Sequence, residues 1–150
     1  MTLFIDGDAF VRLIQPIVSK AIERHHIKTY LVSNKKLSLE PEKFVTFVLV
    51  SQGIDSADKW IVEHLQEGDL VITSDIPLAN EVVKRGAYAL NQRGTLYTEE
   101  NVQQHLAMRD LMQNIRDMGE VTKGPKPYGP KDRAAFANAL SAFLQKRLKR

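Results

Sequence analysis

Residues 68–90 read Gly-Asp-Leu-Val-Ile-Thr-Ser-Asp-Ile-Pro-Leu-Ala-Asn-Glu-Val-Val-Lys-Arg-Gly-Ala-Tyr-Ala-Leu. The apolar run 70–73 is typical of a buried strand, and the apolar spacing over 76–85 predicts a helix. Gly86 stands where a glycine commonly ends a helix, and residues 87–90 predict the next strand. A strand, a helix and a strand in this order predict parallel neighbours joined by a right-handed crossover.

The same alternation extends toward the N-terminus. Strands are predicted at 3–5, 29–32 and 44–50, with helices from Pro16 to His26 and over 55–66. The run 44–50 is long and apolar, which indicates a strand that is buried on both faces. The predicted fold class is therefore α/β, a three-layer sandwich with a mainly parallel central sheet.

The C-terminal third has a different pattern. A helix is predicted from Thr98, then a proline- and glycine-rich connection over 119–130, then a final helix led by Asp132. Each helix carries an apolar stripe, which predicts packing against the sheet domain. Residues 1–150 are thus expected to form one domain with a helical extension over about 99–150. The stripes are Met108, Leu111, Met112, Ile115 and Met118 in the first helix, and Phe136, Leu140, Phe143 and Leu144 in the second.

Composition limits the possible classes of site. The 150 residues include no cysteine, which excludes disulfides, thiolate metal sites and thiol nucleophiles. No apolar run approaches the roughly 18 residues of a membrane helix, and the first acidic residue comes too early for a signal peptide. We therefore expect a cytoplasmic protein that does not enter a membrane.

Charge is divided unevenly along the chain. Residues 1–118 carry 13 Lys and Arg against 16 Asp and Glu, whereas residues 119–150 carry 8 against 2. A basic segment beside an acidic body is suited to binding a polyanion, although cations also suit the end of a terminal helix. The basic residues of this segment are Lys123, Lys126, Lys131, Arg133, Lys146, Arg147, Lys149 and Arg150.

Aspartates follow the predicted strands. Asp6 and Asp8 come after the first strand, Asp75 follows the strand 70–73, and Asp55 and Asp58 share one face at a helix start. Ligands of open parallel sheets bind outside the carboxyl ends of the strands, where these side chains are expected to converge. Carboxylates gathered there repel one another unless a cation neutralises them, and oxygen ligands without His or Cys favour Mg²⁺ or Mn²⁺.

Each aspartate also has a structural explanation. Asp55 or Asp58 suits a helix cap, Asp8 suits a turn, and Asp75 suits the cap of a helix starting at Ile76. We favour a shared site because all five fall at one predicted edge of the sheet.

Several stretches resemble a known group of proteins. Residues 58–61, 68–79 and 85–87 resemble the core of PIN-like nuclease domains. Nearly the whole chain resembles the YaiI/YqxD family of small uncharacterised bacterial proteins related to them. The residues that carry this second likeness are 53–58, 92–94, 107–112 and 124–133.

The resemblance implies a function and a set of site residues. It implies that Asp6, Asp58 and Asp75 bind Mg²⁺ or Mn²⁺ and hydrolyse RNA or DNA phosphodiesters, with Asp8 and Asp55 as further metal ligands. The family usually has Asp-Ala-Asp-Ala-Cys-Pro and then a lysine after the first strand. This chain has Asp-Gly-Asp-Ala-Phe-Val over 6–11 and Leu13 at the lysine position, so no thiol or lysine acts there.

Other side chains are candidates for binding the substrate. Asn34 follows a strand, Ser74 precedes Asp75, Arg93 stands beside Gly94, and Lys126 belongs to the basic segment. The expected partner is nucleic acid, RNA rather than DNA. A turn role for Asn34 and a role for Arg93 in covering the sheet edge remain open alternatives.

Two other functions fit the pattern. One is a module of the same fold that binds metal or nucleic acid without turnover. The other is a HAD-type phosphatase, because residues 6–8 and 73–74 loosely resemble its first two motifs. That class also needs an acidic pair after a later strand, where this chain has Asn91-Gln92.

Overall fold

The computed structural model describes residues 1–7, 10, 12–53, 56–120 and 126–148. The expectations for Asp8 and Asp55 therefore lie outside the described residues, as do those for Lys123, Lys149 and Arg150.

The central sheet has six strands in the order β3-β2-β1-β4-β5-β6. The first five are parallel, as predicted, and only β6 runs antiparallel, to β5. A turn over 91–95 joins β5 to β6, and the two residues of β6 are too few to show a strand period in the sequence. The strands are β1 Thr2–Asp6, β2 Lys28–Ser33, β3 Val45–Leu49, β4 Leu70–Ile72, β5 Tyr88–Leu90 and β6 Leu96–Tyr97.

Five α-helices and one 3₁₀ turn connect and cover the strands in the described residues. Gly86 has a φ of 80° just past α3, so it ends that helix as predicted. The final helix starts at Pro130, two residues before the predicted position. The elements are the 3₁₀ helix Arg12–Ile14, α1 Gln15–His25, α2 Ser56–His64, α3 Ile76–Lys84, α4 Glu99–Asp117 and α5 Pro130–Arg147.

Helices cover both faces of the sheet. Leu3 and Ile5 of β1 pack with α1 and α5, whereas Phe4 between them packs with α2, α3 and α4. This alternation follows from the period of two along a strand. The predicted three-layer sandwich is confirmed.

Strand β3 differs from its prediction. It is the edge strand next to β2, and Leu49 is 65% exposed. A strand at the edge has a neighbour on one side only, and the residues of β3 are half-buried or exposed. The apolar run 44–50 was therefore wrongly interpreted as buried on both faces.

Helix α4 is only partly docked. Val102 in its first turns is buried, but Met108, Leu111 and Met118 are exposed. The N-terminal part packs against α3, where Val102 joins the core and Gln103 donates to Asn80 at 3.0 Å. The prediction that the whole apolar stripe packs on the domain was wrong for the C-terminal half, whereas the stripe of α5 is buried as expected.

The strand order reverses direction between β1 and β4. The chain moves outward from β1 to β2 and β3, then returns to the other side of β1 at β4. Such a switch point leaves a crevice outside the carboxyl ends of the two central strands. Asp6 ends β1 and Thr73 follows β4, so both stand at this crevice. In the part of the chain that is described, no helix combines the length and apolar character needed to cross a membrane.

Asp69 stabilises the opposite, amino edge of the sheet. Its side chain is buried and accepts hydrogen bonds of 2.9 Å each from the backbone N–H groups of Thr2 and Gln66. We expect Asp69→Ala to lower the free energy of unfolding by roughly 2–4 kcal/mol, because two N–H groups lose a charged acceptor. Urea denaturation measures the loss, with the exposed Asp117→Ala as control; equal stability of the two variants would contradict this role.

Candidate active site

Asp6 is buried at the centre of the carboxyl edge. Only 3% of the residue is exposed, and its Oδ2 accepts a 2.8 Å hydrogen bond from Oγ1 of Thr73. The chain leaves β1 very close to β2, since a Cβ added to Gly7 would stand 2.5 Å from Cβ of Ser33. Glycine is thus required directly after Asp6, and the aspartate is held against the strands on either side.

Thr73 connects Asp6 to Asp75. Its hydroxyl donates to Asp6 and accepts a 3.0 Å hydrogen bond from the backbone N–H of Asp75. Asp75 in turn caps α3, because its Oδ1 accepts from the N–H of Leu78 at 3.0 Å. The structural explanation for Asp75 is therefore confirmed, yet the cap occupies only one of its two carboxylate oxygens. Thr73 was missed as a site residue, although a Thr two residues before a capping Asp is a signal for such a link.

Asp58 lies in the first turn of α2 and faces Asp75 across a small cleft. This cleft has a volume of about 60 Å³, and its polar lining also includes Asn34, Ser51 and Ser56. Oδ1 of Asn34 is buried and has no hydrogen-bond partner in the described part of the chain. A buried carbonyl oxygen without a partner is costly, so this atom is suited to a ligand that enters the cleft.

A second, wider cleft of about 520 Å³ adjoins the first, and Asp58 and Asp75 line both. Its wall also carries two cations, Lys59 from α2 and Arg109 from α4. Arg109 contacts Asp110 at 3.2 Å and remains about half exposed. Nothing in the sequence connects Arg109 with the aspartates, because the packing of α4 on α3 brings it there. The acidic residues of the wall are Asp58, Glu63, Asp75 and Glu81.

The predicted aspartates thus share one edge without forming a tight cluster. Asp58 and Asp75 line common clefts, and Asp6 is linked to Asp75 through Thr73. Across the described ranges, no group of three or more His, Asp or Glu residues is close enough to hold a metal ion. The shared three-carboxylate metal site remains a prediction. Ser74, the candidate beside Asp75, is exposed.

Arg93, in the turn beyond β5, contacts the segment of Lys126 that precedes α5. Nη1 of Arg93 forms a 2.9 Å ion pair with Asp132, and Nη2 donates to the carbonyl of Lys126. The guanidinium also lies over the ring of Tyr128, at 5.6 Å. These contacts attach the start of α5 to the sheet edge, which agrees with the alternative role of Arg93 in covering that edge. Lys126 contributes its backbone to this contact and leaves its side chain exposed.

Two tyrosines near this edge keep their protons near neutral pH. Burial raises the pKa of Tyr97, although a hydrogen bond from Asn91 partly opposes the shift. Burial also raises the pKa of Tyr128, with a further increase from the nearby Asp132 carboxylate. Both phenols act as neutral hydrogen-bonding groups, and the side chain of Asn91 bonds Arg93, Thr95 and Tyr97 within the 91–97 hairpin.

Fold and site together define a three-layer α/β protein with an acidic cleft at its topological switch point. The chain belongs to the uncharacterised YaiI/YqxD family, whose model matches residues 4–146. It is 51% identical over 146 residues to a UPF0178 protein of Sulfurovum sp. strain NBC37-1, covering 97% of this chain and 99% of that protein. It is 49% identical to a UPF0178 protein of Sulfurimonas denitrificans, covering 99% of this chain and 98% of the relative.

A solved structure supports the fold. The chain is similar to a homospermidine synthase from Legionella pneumophila in complex with NAD, with a TM-score of 0.50 and 16% identity. The match covers 95% of this chain and 38% of that enzyme. At this identity the similarity concerns the α/β fold alone.

Proposed function

We propose that this protein is a metal-dependent nuclease that hydrolyses phosphodiester bonds of RNA or DNA at the cleft between α2 and α3. The observation that carries the proposal is the small cleft in which Asp58, Asp75 and Oδ1 of Asn34 meet. This oxygen is buried and has no hydrogen-bond partner among the described residues. A cleft lined by carboxylates and a carbonyl oxygen, with cations on its outer wall, suits a phosphate ester bound together with a metal ion. The PIN-like resemblance also implies a role for Asp58 and Asp75.

The residues of the small cleft fit Mg²⁺ or Mn²⁺. Hard cations take oxygen ligands, and Mg²⁺ is commonly held by only one or two carboxylates while it keeps several waters. Asp58, Asp75 and Asn34 supply that donor set, and a volume of about 60 Å³ is about that of two water molecules. A site of this kind does not require a group of three carboxylates. A bound cation would supply charge that lowers the pKa of a water molecule and neutralises the developing charge on phosphate.

The side chains around the cleft have separate tasks. Asp58 and Asp75 would hold the cation, and Asn34 would add a neutral oxygen ligand. Asp6 is a positioning residue in this scheme, because it orients Thr73, which fixes the backbone of Asp75. Lys59 and Arg109 attract phosphate oxygens to a wall that is otherwise acidic.

We expect Mn²⁺ or Mg²⁺ to support cleavage of labelled single-stranded RNA or DNA and EDTA to abolish it. Metal at about 100 times its Kd should also stabilise the protein by about 2.7 kcal/mol, because the ion binds only the folded state. Gel assays of cleavage and thermal melts with and without metal measure the two effects. Cleavage that continues at full rate in EDTA would contradict the proposal.

The second candidate is a binding module of the same fold without turnover. The engagement of Asp75 in a helix cap favours it, since a cap explains that carboxylate without catalysis. A binder keeps its affinity for nucleic acid when one carboxylate becomes an amide, whereas a catalyst loses its turnover. Binding without cleavage of either polymer, at any metal concentration, would favour the module.

A further inference from the structure

Four exposed cations lie around the start of α5. We call them the basic rim: Arg12, Lys126, Lys131 and Arg133. Between residues 126 and 148 the only carboxylate is Asp132, and it is already used by Arg93 and by the N–H of Gly129. The positive charge of the rim is therefore not neutralised by its own segment.

The rim is attached to the carboxyl edge of the sheet. Arg93 holds Asp132 and the carbonyl of Lys126, and the hydroxyl of Tyr128 donates to the carbonyl of Gln92 at 2.7 Å. Residues 92 and 93 follow β5, the neighbour of β4. The N–H of Thr73 donates to Leu90 there at 3.1 Å. The basic rim thus begins one strand away from Thr73 and the aspartates it links.

A second contact joins the rim to β1. Nε of Arg133 donates to the carbonyl of Leu13 at 3.0 Å. Leu13 belongs to the 3₁₀ helix that follows β1, and Arg12 precedes it there. Arg133 of α5 therefore lies beside the 3₁₀ helix that contains Arg12.

The cations at the other end of α5 lie at the opposite edge of the sheet. The guanidinium of Arg147 is 4.6 Å from the ring centroid of Tyr88, the first residue of β5. The 14 residues from Arg133 to Arg147 span about 21 Å of helix. Lys146 and Arg147 are thus remote from the aspartates, although sequence analysis grouped them with Lys126 and Lys131 in one basic segment.

We propose that the basic rim binds the sugar-phosphate backbone of the single nucleic-acid strand whose scissile phosphate enters the cleft of Asp58 and Asp75. This inference rests on the proposed function and names the surface that holds its substrate. Exposed Lys and Arg side chains bind phosphates without reading sequence, so the rim supplies affinity and leaves the bases unread. Lys146 and Arg147 take no part in this binding.

The test compares two double charge reversals of equal size. Lys126→Glu with Lys131→Glu changes the basic rim, and Lys84→Glu with Lys146→Glu changes the amino edge. Fluorescence anisotropy measures the binding of labelled mixed-sequence 20-nucleotide RNA and DNA at several salt concentrations. EDTA is present throughout, so that no metal-dependent cleavage occurs during the measurement. Cleavage with Mn²⁺ is measured in parallel, and thermal melts check that both variants are folded.

We expect the rim variant to bind RNA and DNA at least about tenfold more weakly than the wild type at low salt. The slope of the logarithm of the binding constant against the logarithm of the salt concentration should be less steep by about 1.4, because two phosphate contacts are lost. The amino-edge control should bind like the wild type. Equal loss in both variants, no loss in the rim variant, or no binding by the wild type would overturn the inference. If only the rim variant loses binding and the wild type shows no cleavage, the basic rim is supported and the nuclease proposal is refuted. If the wild type cleaves and the rim variant binds as well as the wild type, the nuclease proposal is supported and the basic rim is refuted.

Discussion

Asp75→Asn is expected to lower the metal-dependent cleavage rate by at least about 100-fold while leaving the protein folded. Asparagine caps a helix about as well as aspartate, so the hydrogen bond to the N–H of Leu78 survives the change. The charge that holds a hard cation is removed. Loss of residues that merely support metal ligands commonly costs 10–100-fold, so a direct ligand should cost at least as much.

The same rate loss is expected for Asp58→Asn, whereas Asp6→Asn should cost about 10–100-fold, because Asp6 acts through Thr73. Asp58 would lose a carboxylate that faces the cation, whereas Asp6 would lose the charge that orients Thr73. Removing one of several neighbouring carboxylates also relieves repulsion, so thermal melts without metal should show unchanged or slightly higher stability.

Asp117→Asn is the matched control, because Asp117 is exposed on α4 and contacts only Gln113 among the side-chain hydrogen bonds of the described residues. Single-turnover cleavage of RNA and DNA by all four variants is the measurement. Cleavage at full rate in Asp6→Asn and Asp75→Asn would show that the activity belongs to a contaminant or to another site.

The fold was largely predictable because its signals are local. The run 70–73, the helix over 76–85 and Gly86 each follow from neighbouring residues, and the alternation of strands with α1, α2 and α3 predicts a parallel sheet. The parallel pair of β2 and β3 has no helix between its strands, so this signal does not cover it. Strand order is a tertiary property, so the edge position of β3 had no local signal. The exposed half of α4 was missed for a similar reason, since an apolar stripe shows amphipathicity without showing whether a partner covers it.

The candidate site was predictable only as a set of residues near one edge. Asp6, Asp58 and Asp75 stand near strand ends or helix starts, which places them there from sequence alone. Arg109 enters the cleft through the packing of α4 on α3, and no spacing in the chain encodes that contact. The basic residues of the C-terminal segment lie at both the carboxyl and the amino edge of the sheet, because α5 is long enough to connect these two edges.

Gly94→Ala is expected to lower the free energy of unfolding by about 2–5 kcal/mol. Gly94 has a φ of 91°, and a Cβ added there would stand 2.7 Å from the backbone carbonyl of Ala135 in α5. The left-handed conformation costs a non-glycine residue about 1–2 kcal/mol, and overpacking against backbone adds about 1–3 kcal/mol. Because backbone cannot rotate away, the hairpin and the start of α5 have to separate.

Gly68→Ala is the control that separates these two costs. Gly68 has a φ of 88°, but an added Cβ would be 3.4 Å from the flexible tip of Arg147, an ordinary contact. Gly68→Ala should therefore lower the free energy of unfolding only by the cost of the left-handed conformation, about 1–2 kcal/mol. Urea denaturation of both variants gives the difference between their free energies of unfolding. Anisotropy with labelled RNA tests whether the basic rim is displaced, since only Gly94→Ala moves the start of α5. Equal stability losses, or unchanged RNA binding in a folded Gly94→Ala variant, would show that the hairpin does not position α5.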